Sequence, residues 1–418
     1  MKYIFFFILK KFILYGKLEI EIGNDPVKSL VGQLDGPHIH IKILNLKHLF
    51  LIVRSPELSF GELYMNKELK IKKGNLEDLM KFLMLNYNSW QVTNFGKVRR
   101  YLNDLNNFFS TFNPIRKAKR NVAHHYDLND DLFEIFLDKR RQYSCGYFHS
   151  KNESLEDAQI NKVSRLVAKL QINKGNTVLD IGCGWGGLGL SIYNCNPSTR
   201  ITGITLSEKQ HMYFNQLIKK NKLTGKVKCL LKDYRELDNK YDRIVSVGML
   251  EHVGYHNFEK FYQYIENHLK PKGVAVIHSI GRYGLPTHTN PWLEKYIFPG
   301  GYIPTFSQMT NAIEKTSLKI TDIEVMRLHY AETLKKWREK FFKNKSFLPK
   351  TYDEKFSRMW EFYLLGSEYF FRSGGGMVFQ YQLAKDQEVV PFDRKYISSM
   401  EKKYTKLIKQ KEITYILR

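Results

Sequence analysis

The chain has little cysteine, few acidic residues and no long apolar run. Its 418 residues include four cysteines, Cys145, Cys183, Cys195 and Cys229, with no CxxC pair and no neighbouring ligand spacing. That scarcity argues against a disulfide framework and a structural zinc site, so no metal is expected, and it suits a reducing cytosol. The amino-terminal apolar run, Tyr3 to Leu9 in "MKYIFFFILKKFILYG", is cut by Lys10 and Lys11. It is too short to span a bilayer, and no small-residue cleavage pattern follows it. It reads either as a buried first strand or helix, or as an amphipathic element resting on a membrane. No internal repeat or low-complexity tract stands out.

Acidic residues number 42 against 66 Lys and Arg, a formal charge of +24. Such an excess suggests an anionic partner, nucleic acid or an acidic membrane surface. A Lys-, Asn-, Ile- and Phe-rich vocabulary set by genome composition gives the same sum, so charge alone does not decide. What is abundant is apolar: 43% hydrophobic and 14% aromatic residues can bury a real core. The length exceeds one ordinary core, and two domains are expected.

Residues 1–95 alternate short apolar stretches with Gly, Asn, Asp and Pro, then give the helical "LEDLMKFLML", an α+β pattern. Residues 96–122 are polar and basic and read as a linker. From 123 to 418 the strand-like runs "TVLDIGC", "ITGITL", "KVKCLL", "YDRIVSV" and "GVAVIHSI" alternate with helix-length segments. That alternation predicts a doubly wound parallel sheet.

"TVLDIGCGWGG" (177–187) is a strand, a glycine-rich turn and a helix start. Its glycines let the backbone approach a ligand, and Asp180 ends the strand with a carboxylate. A GxGxG turn alone is weak, since dinucleotide enzymes use relatives of it, but the GxGxxG spacing is absent. "HSIG" (278–281) sets a histidine at the end of an apolar run, where a core imidazole bonded to backbone is the ordinary expectation.

Collinear motifs carry a family resemblance. "HHYDLNDDLF" (124–133), "QYSCGYF" (142–148), "VLDIGCGWGG" (178–187), "GITLSEKQ" (203–210), "DRIVSVGMLEHVG" (242–254) and "HSIG" occur in order. "YIFPGGYIP" (296–304), "HYAETL" (329–334) and "FYLLGSEYFFR" (362–372) follow. Together they resemble the cyclopropane-fatty-acyl-phospholipid synthase family. "PELSFGELYMNKEL" (56–69) looks like the amino-terminal lipid-associated domain of its longer members, so mycolic-acid synthases lacking that domain fit less well. The resemblance implies an α/β fold: a Rossmann-like class I methyltransferase sheet with helical lid insertions, plus a small amino-terminal α+β domain.

Family members transfer the methyl carbon of S-adenosylmethionine to a cis double bond of a phospholipid acyl chain, then close a cyclopropane ring by losing a methyl proton. An isolated alkene is a poor nucleophile and the transfer leaves a carbocation. The chemistry therefore asks for a dry tunnel, aromatic faces and a base that cannot add permanently. The resemblance supplies bound bicarbonate as that base. By motif match its holders here are Cys145, Glu251, His278, the backbone of Ile280, and Tyr330. Glu251 is expected to keep His278 charged or to take the bicarbonate proton. Otherwise Cys145 is a small buried apolar residue, and Glu251 and His252 cap a helix. Cofactor contacts carried over are Tyr143, Ser144, Val178, Leu179, Asp180, Ile181, Gly182, Cys183, Gly184, Trp185, Gly186, Thr205, Leu206, Ser207, Gln210, Tyr234 and Arg235. Ser367 stands where several members have a cysteine to which a catalytic role has been assigned. A hydroxyl is far less acidic than a thiol, so this position is not expected to act as a nucleophile.

The resemblance implies unsaturated phospholipid as substrate, a membrane surface as peripheral partner at the cytoplasmic face, and a homodimer. Methylation without ring closure and small-amine N-methylation are the competing activities; a lipid-binding protein with a dead catalytic domain is a further reading. No RNA-binding module is recognisable, so no nucleic-acid partner is expected.

Overall fold

The computed structural model describes residues 2–91, 130–410 and 413–417; the linker expected over 96–122 and the first part of "HHYDLNDDLF" lie outside the described residues. The chain divides into two compact units. One comprises Met1–Ser110, Thr287–Pro299 and Lys345–Gly376; the other comprises Thr111–Pro286, Gly300–Asn344 and Met377–Arg418.

The first unit holds a four-stranded sheet of β1 (Tyr15–Ile22), β2 (Lys28–Val31), β3 (Leu34–Ile43) and β4 (Leu69–Lys73), ordered β2-β1-β3-β4. β1 alternates half-buried and buried residues along its length, the period-2 pattern of a strand with one covered face. Leu18, Ile20 and Ile22 join Ile39, Ile41 and Ile43 of β3 beneath Leu79 and Phe82 of the Leu76–Gln91 helix. The same core takes Leu365 and Tyr369 from the helix Glu354–Ser373. Tyr64 donates to Glu361 at 2.8 Å, and the Arg358 guanidinium lies 3.9 Å over the Tyr64 ring. Segments 287–299 and 345–376 therefore group with the amino-terminal sheet, whereas the sequence division placed them in a continuous 123–418 domain. The apolar faces of these inserted helices find their partners nearly 300 residues upstream, which no local pattern encodes. The Lys2–Phe12 helix buries only Phe5 fully.

The second unit is built on seven strands: β5 (Thr177–Ile181), β6 (Arg200–Thr205), β7 (Val227–Leu231), β8 (Tyr241–Val247), β9 (Leu269–Arg282), β10 (Lys319–Met326) and β11 (Gly376–Ala384). Their order is β10-β11-β9-β8-β5-β6-β7. Pairings among β5 to β9 are parallel, as the alternating pattern predicts, and β10 pairs antiparallel with β11. Strand order reverses at β5, so the carboxyl ends of β5 and β8 open a crevice at the topological switch point.

Candidate active site

The chain leaves β5 through three glycines with positive φ: Gly182 (79°), Gly184 (54°) and Gly186 (87°). L side chains rarely adopt that region. The Gly182 and Cys183 amides donate to the Ile204 carbonyl at 3.0 and 2.9 Å, tying the turn to β6. A Cβ on Gly186 would lie 2.1 Å from the Phe214 ring, so that glycine serves packing. A Cβ on Gly184 would meet nothing within 4 Å. Gly184 instead borders a cavity of about 150 Å³.

The expected cofactor residues fall into wall and support. Tyr143, Ser144, Asp180 through Trp185, Thr205, Leu206, Gln210, Tyr234 and Arg235 line the cavity. Val178 and Leu179 are buried strand residues. Ser207 caps the Glu208–Lys220 helix, accepting from the Gln210 amide at 3.3 Å, and the Thr205 hydroxyl donates to Gln210 Oε1 at 2.8 Å. Wall residues not singled out from the sequence include Gln142, Lys232, Asp233, Gly248 and Met249, and His252, read from the sequence as a helix cap, lines the wall too. Asp233 grips the Arg235 guanidinium through two bonds of 2.7 Å. Its place beside Tyr234-Arg235 was the available signal.

Asp180 is 1% exposed and its Oδ2 has no hydrogen-bond partner. Burial pushes its carboxyl up to about 7, against the pull of the nearby Lys162 ammonium. Desolvation holds His252 neutral, pushed down to about 4. An open cradle over Gly184, an unpartnered buried carboxyl and the Tyr234 ring fit a nucleoside that carries an amino-acid tail.

Of the six residues assigned to chemistry, none lines this cavity. Glu251 and Ile280 meet directly: the Ile280 amide donates to Glu251 Oε1 at 2.5 Å. Glu251 Oε2 is buried without a partner, and burial pushes the carboxyl up to about 7. His278 ends the β8–β9 pairing opposite Val247 and is buried, its Nδ1 3.1 Å from the Gln380 amide nitrogen on β11. Of the two roles expected of Glu251, keeping His278 charged is the one this arrangement does not support. Burial, with Lys162 and Lys169 nearby, drives the His278 pKa well below its ordinary value, so the ring is neutral. With Nδ1 accepting from Gln380, Nε2 carries the hydrogen and can donate. Cys145 is fully buried, its thiol donates to the Gly146 carbonyl at 3.3 Å, and burial pushes its pKa upward, so it is a thiol rather than a thiolate. The Gly146 amide donates to Thr333 Oγ1 at 2.9 Å, linking the Cys145 loop to the His329–Asn344 helix that bears Tyr330. Among the described residues no hydrogen bond joins Cys145 or His278 to Glu251. Ser367 lies half-buried in the other unit.

An aromatic wall runs away from the cavity. Tyr143 packs on Trp337 with ring centroids 5.0 Å apart, Trp337 meets Tyr330 edge-on at 5.8 Å, and Phe133 bridges Tyr143 (5.5 Å) to Trp185 (4.8 Å). Such faces tolerate cationic character.

A seven-stranded sheet, parallel from β5 to β9 with an antiparallel β10–β11 pair at one edge, a glycine turn at its switch point and an acidic residue near the end of β5, is the fold of class I S-adenosylmethionine-dependent methyltransferases. The mycolic acid cyclopropane synthetase family profile matches residues 114–381, more than half of the chain, and the chain belongs to that family. It is 38% identical over 283 residues to tuberculostearic acid methyltransferase UfaA1 of Mycobacterium tuberculosis, covering 65% of this chain and 66% of that protein. It is 39% identical over 241 residues to the cyclopropane-fatty-acyl-phospholipid synthase of Escherichia coli, covering 57% and 61%. The matched stretches thus span just under two thirds of these relatives. The solved cyclopropane synthase MmaA2 of Mycobacterium tuberculosis superposes with a TM-score of 0.60 at 31% identity, over 65% of this chain and 99% of that one.

Proposed function

We propose that this protein transfers a methyl carbon from S-adenosylmethionine to a cis double bond of an unsaturated phospholipid acyl chain and closes a cyclopropane ring, with bound bicarbonate as base. The observation that carries the reading is the open cradle over Gly184 beside the unpartnered Asp180 carboxyl. S-adenosylmethionine supplies the methyl group. Gly182, Cys183 and Gly184 present backbone to its methionine portion, Ser144 and Gln210 offer hydroxyl and amide, and Tyr234 lies against the adenine. The Tyr143–Trp337–Tyr330 wall faces positive charge as it develops on the acyl chain. Neutral His278 donates from Nε2 to the bicarbonate, and Glu251, poised near neutrality, receives its proton. Cys145 and Tyr330 complete the anion's surroundings, and Ser367 takes no covalent part.

The Lys2–Phe12 helix supports a peripheral membrane role. Tyr3 (90% exposed), Ile4 and Phe7 (61%) share its outer face with Lys10 and Lys11, apolar tips beside cations as an interfacial helix arranges them. Among the described residues no helix is long and apolar enough to cross a membrane. Docking at the inner face of the cell membrane, as a homodimer and without nucleic acid, completes the reading.

A second reading, methylation without ring closure, is favoured by one feature. The Ile280 amide is engaged by Glu251, which removes a donor from the anion's site in this arrangement. Mass spectrometry of lipids from a heterologous host separates the two: cyclopropane chains support ring closure, methyl-branched chains support the alternative, and unaltered lipids refute both.

A further inference from the structure

The Leu155–Leu170 helix carries three buried cations along one face, Lys162, Arg165 and Lys169. Two are neutralised. The Arg165 guanidinium forks onto Glu324 with two bonds of 2.7 Å and reaches Glu401 at 2.6 Å; Lys169 pairs with Glu324 at 2.6 Å and Asp322 at 3.2 Å. Lys162 differs. It is 0% exposed and donates to two neutral acceptors, Gln142 Oε1 and Ser144 Oγ, the latter at 3.1 Å. Among the described residues it makes no ion pair.

The ionisable groups facing Lys162 are Asp138, Cys145 and Asp180, and His278 feels its charge. None of them bonds to it directly. Asp138 is buried, accepts from the Arg140 and Gln142 amides at 3.0 and 2.7 Å, and is pushed toward its neutral form by burial. Asp180 is pushed the same way, Cys145 stays a thiol and His278 is neutral. None of these carboxyls lies within ion-pair distance of the ammonium, so its positive charge stands directly behind the Gln142 and Ser144 oxygens that accept from it.

Hydrogen-bond direction adds to this. An ammonium only donates, so the Ser144 oxygen accepts from Lys162 and its own hydrogen must point elsewhere. Gln159, on the same helix, holds the Ser144 carbonyl at 2.8 Å. Gln142 and Ser144 both line the cavity.

We propose that Lys162 is the positioning residue for the anionic end of the cofactor: it turns the Ser144 hydroxyl into a donor facing the cavity and sets a positive charge behind it, so that the wall receives the carboxylate of the methionine portion. The inference rests on the S-adenosylmethionine reading above. Burial pushes Lys162 down to about 8, so the effect is complete below that pH and fades as pH rises through it.

Calorimetry on the full chain tests it with two ligands, S-adenosylhomocysteine and 5′-methylthioadenosine, which lacks the amino-acid carboxylate. Lys162→Met should weaken the first on the order of ten-fold or more and leave the second unchanged. In the unaltered protein, affinity for S-adenosylhomocysteine alone should fall above about pH 8. Equal losses for both ligands, or no loss, overturn the proposal. If Lys162→Met does not fold, Ser144→Ala and the unaltered protein's pH profile decide: a carboxylate-selective loss and a step near pH 8 support it, and absence of either overturns it. No binding of either ligand by the unaltered protein would remove the cofactor reading itself.

Discussion

Glu251 and Lys162 are both buried ionisable groups, and burial moves their proton equilibria in opposite directions. The Glu251 carboxyl is pushed up from 4.5 to about 7, so the folded chain holds this proton at a pH where the unfolded chain has released it. Its contribution is favourable at low pH and is lost as pH rises from about 4.5 to 7. Lys162 is pushed down from 10.5 to about 8, so between those values the unfolded chain binds the extra proton and stability recovers with rising pH. Glu251→Gln should therefore gain in melting temperature relative to the unaltered protein between pH 5 and 7, on the order of a few degrees. A constant difference across that window would show that Glu251 ionises normally. The same variant should lose on the order of 10²-fold in activity if it accepts the bicarbonate proton. Gly184→Val should abolish S-adenosylmethionine binding, since its branches enter the space over the turn; calorimetry with an unchanged affinity would move the cofactor elsewhere. The glycine turn after β5 was legible in the sequence because glycine spacing at a strand end is a local signal, whereas Thr205 and Gln210 were carried by the family resemblance and line the same cavity. Lys162 was not. In "LEDAQINKVSRLVAKL" its cations recur at the spacing of a solvated helix face, and only tertiary packing buries them.

At the scale of elements, β5 to β9 were legible as short, apolar, β-branched runs. β11 escaped notice because Gln380 and Gln382 interrupt it, although every residue of the strand is buried. Both glutamines are placed by partners outside the strand: Gln380 holds His278, and Gln382 donates to the Lys169 carbonyl at 2.5 Å and to the Tyr396 hydroxyl at 2.8 Å. β10, "KITDIEVM", reads as polar for a related reason, since Asp322 and Glu324 serve buried cations. The Lys2–Phe12 helix yields an element-level prediction. Replacing Ile4 and Phe7 with Glu should weaken flotation with anionic vesicles and leave S-adenosylmethionine affinity untouched. Added salt should weaken binding of the unaltered protein, and equal, salt-insensitive binding to neutral vesicles would assign the basic excess to composition alone.

For the whole molecule, the consequential feature is a unit assembled from three separated stretches of chain. Ser367 sits in that unit, on the helix whose Leu365 and Tyr369 complete the core of the amino-terminal sheet. Ser367→Ala should retain most activity; a dead variant would return the hydroxyl to the chemistry. Deleting residues 1–91 would strip the cover from Leu365 and Tyr369 and should yield an aggregating chain, detected as loss of the soluble fraction and gain of hydrophobic-dye binding. During synthesis the order of events is constrained as well. The amino-terminal sheet leaves the ribosome first, yet its core stays incomplete until the helix ending at Ser373 has been made. At about 5–20 residues per second the wait is roughly 15 to 60 s. Through that interval Ile39, Ile41 and Phe82 belong to an open, apolar nascent domain, so this protein is a natural client for chaperones that act on the translating ribosome.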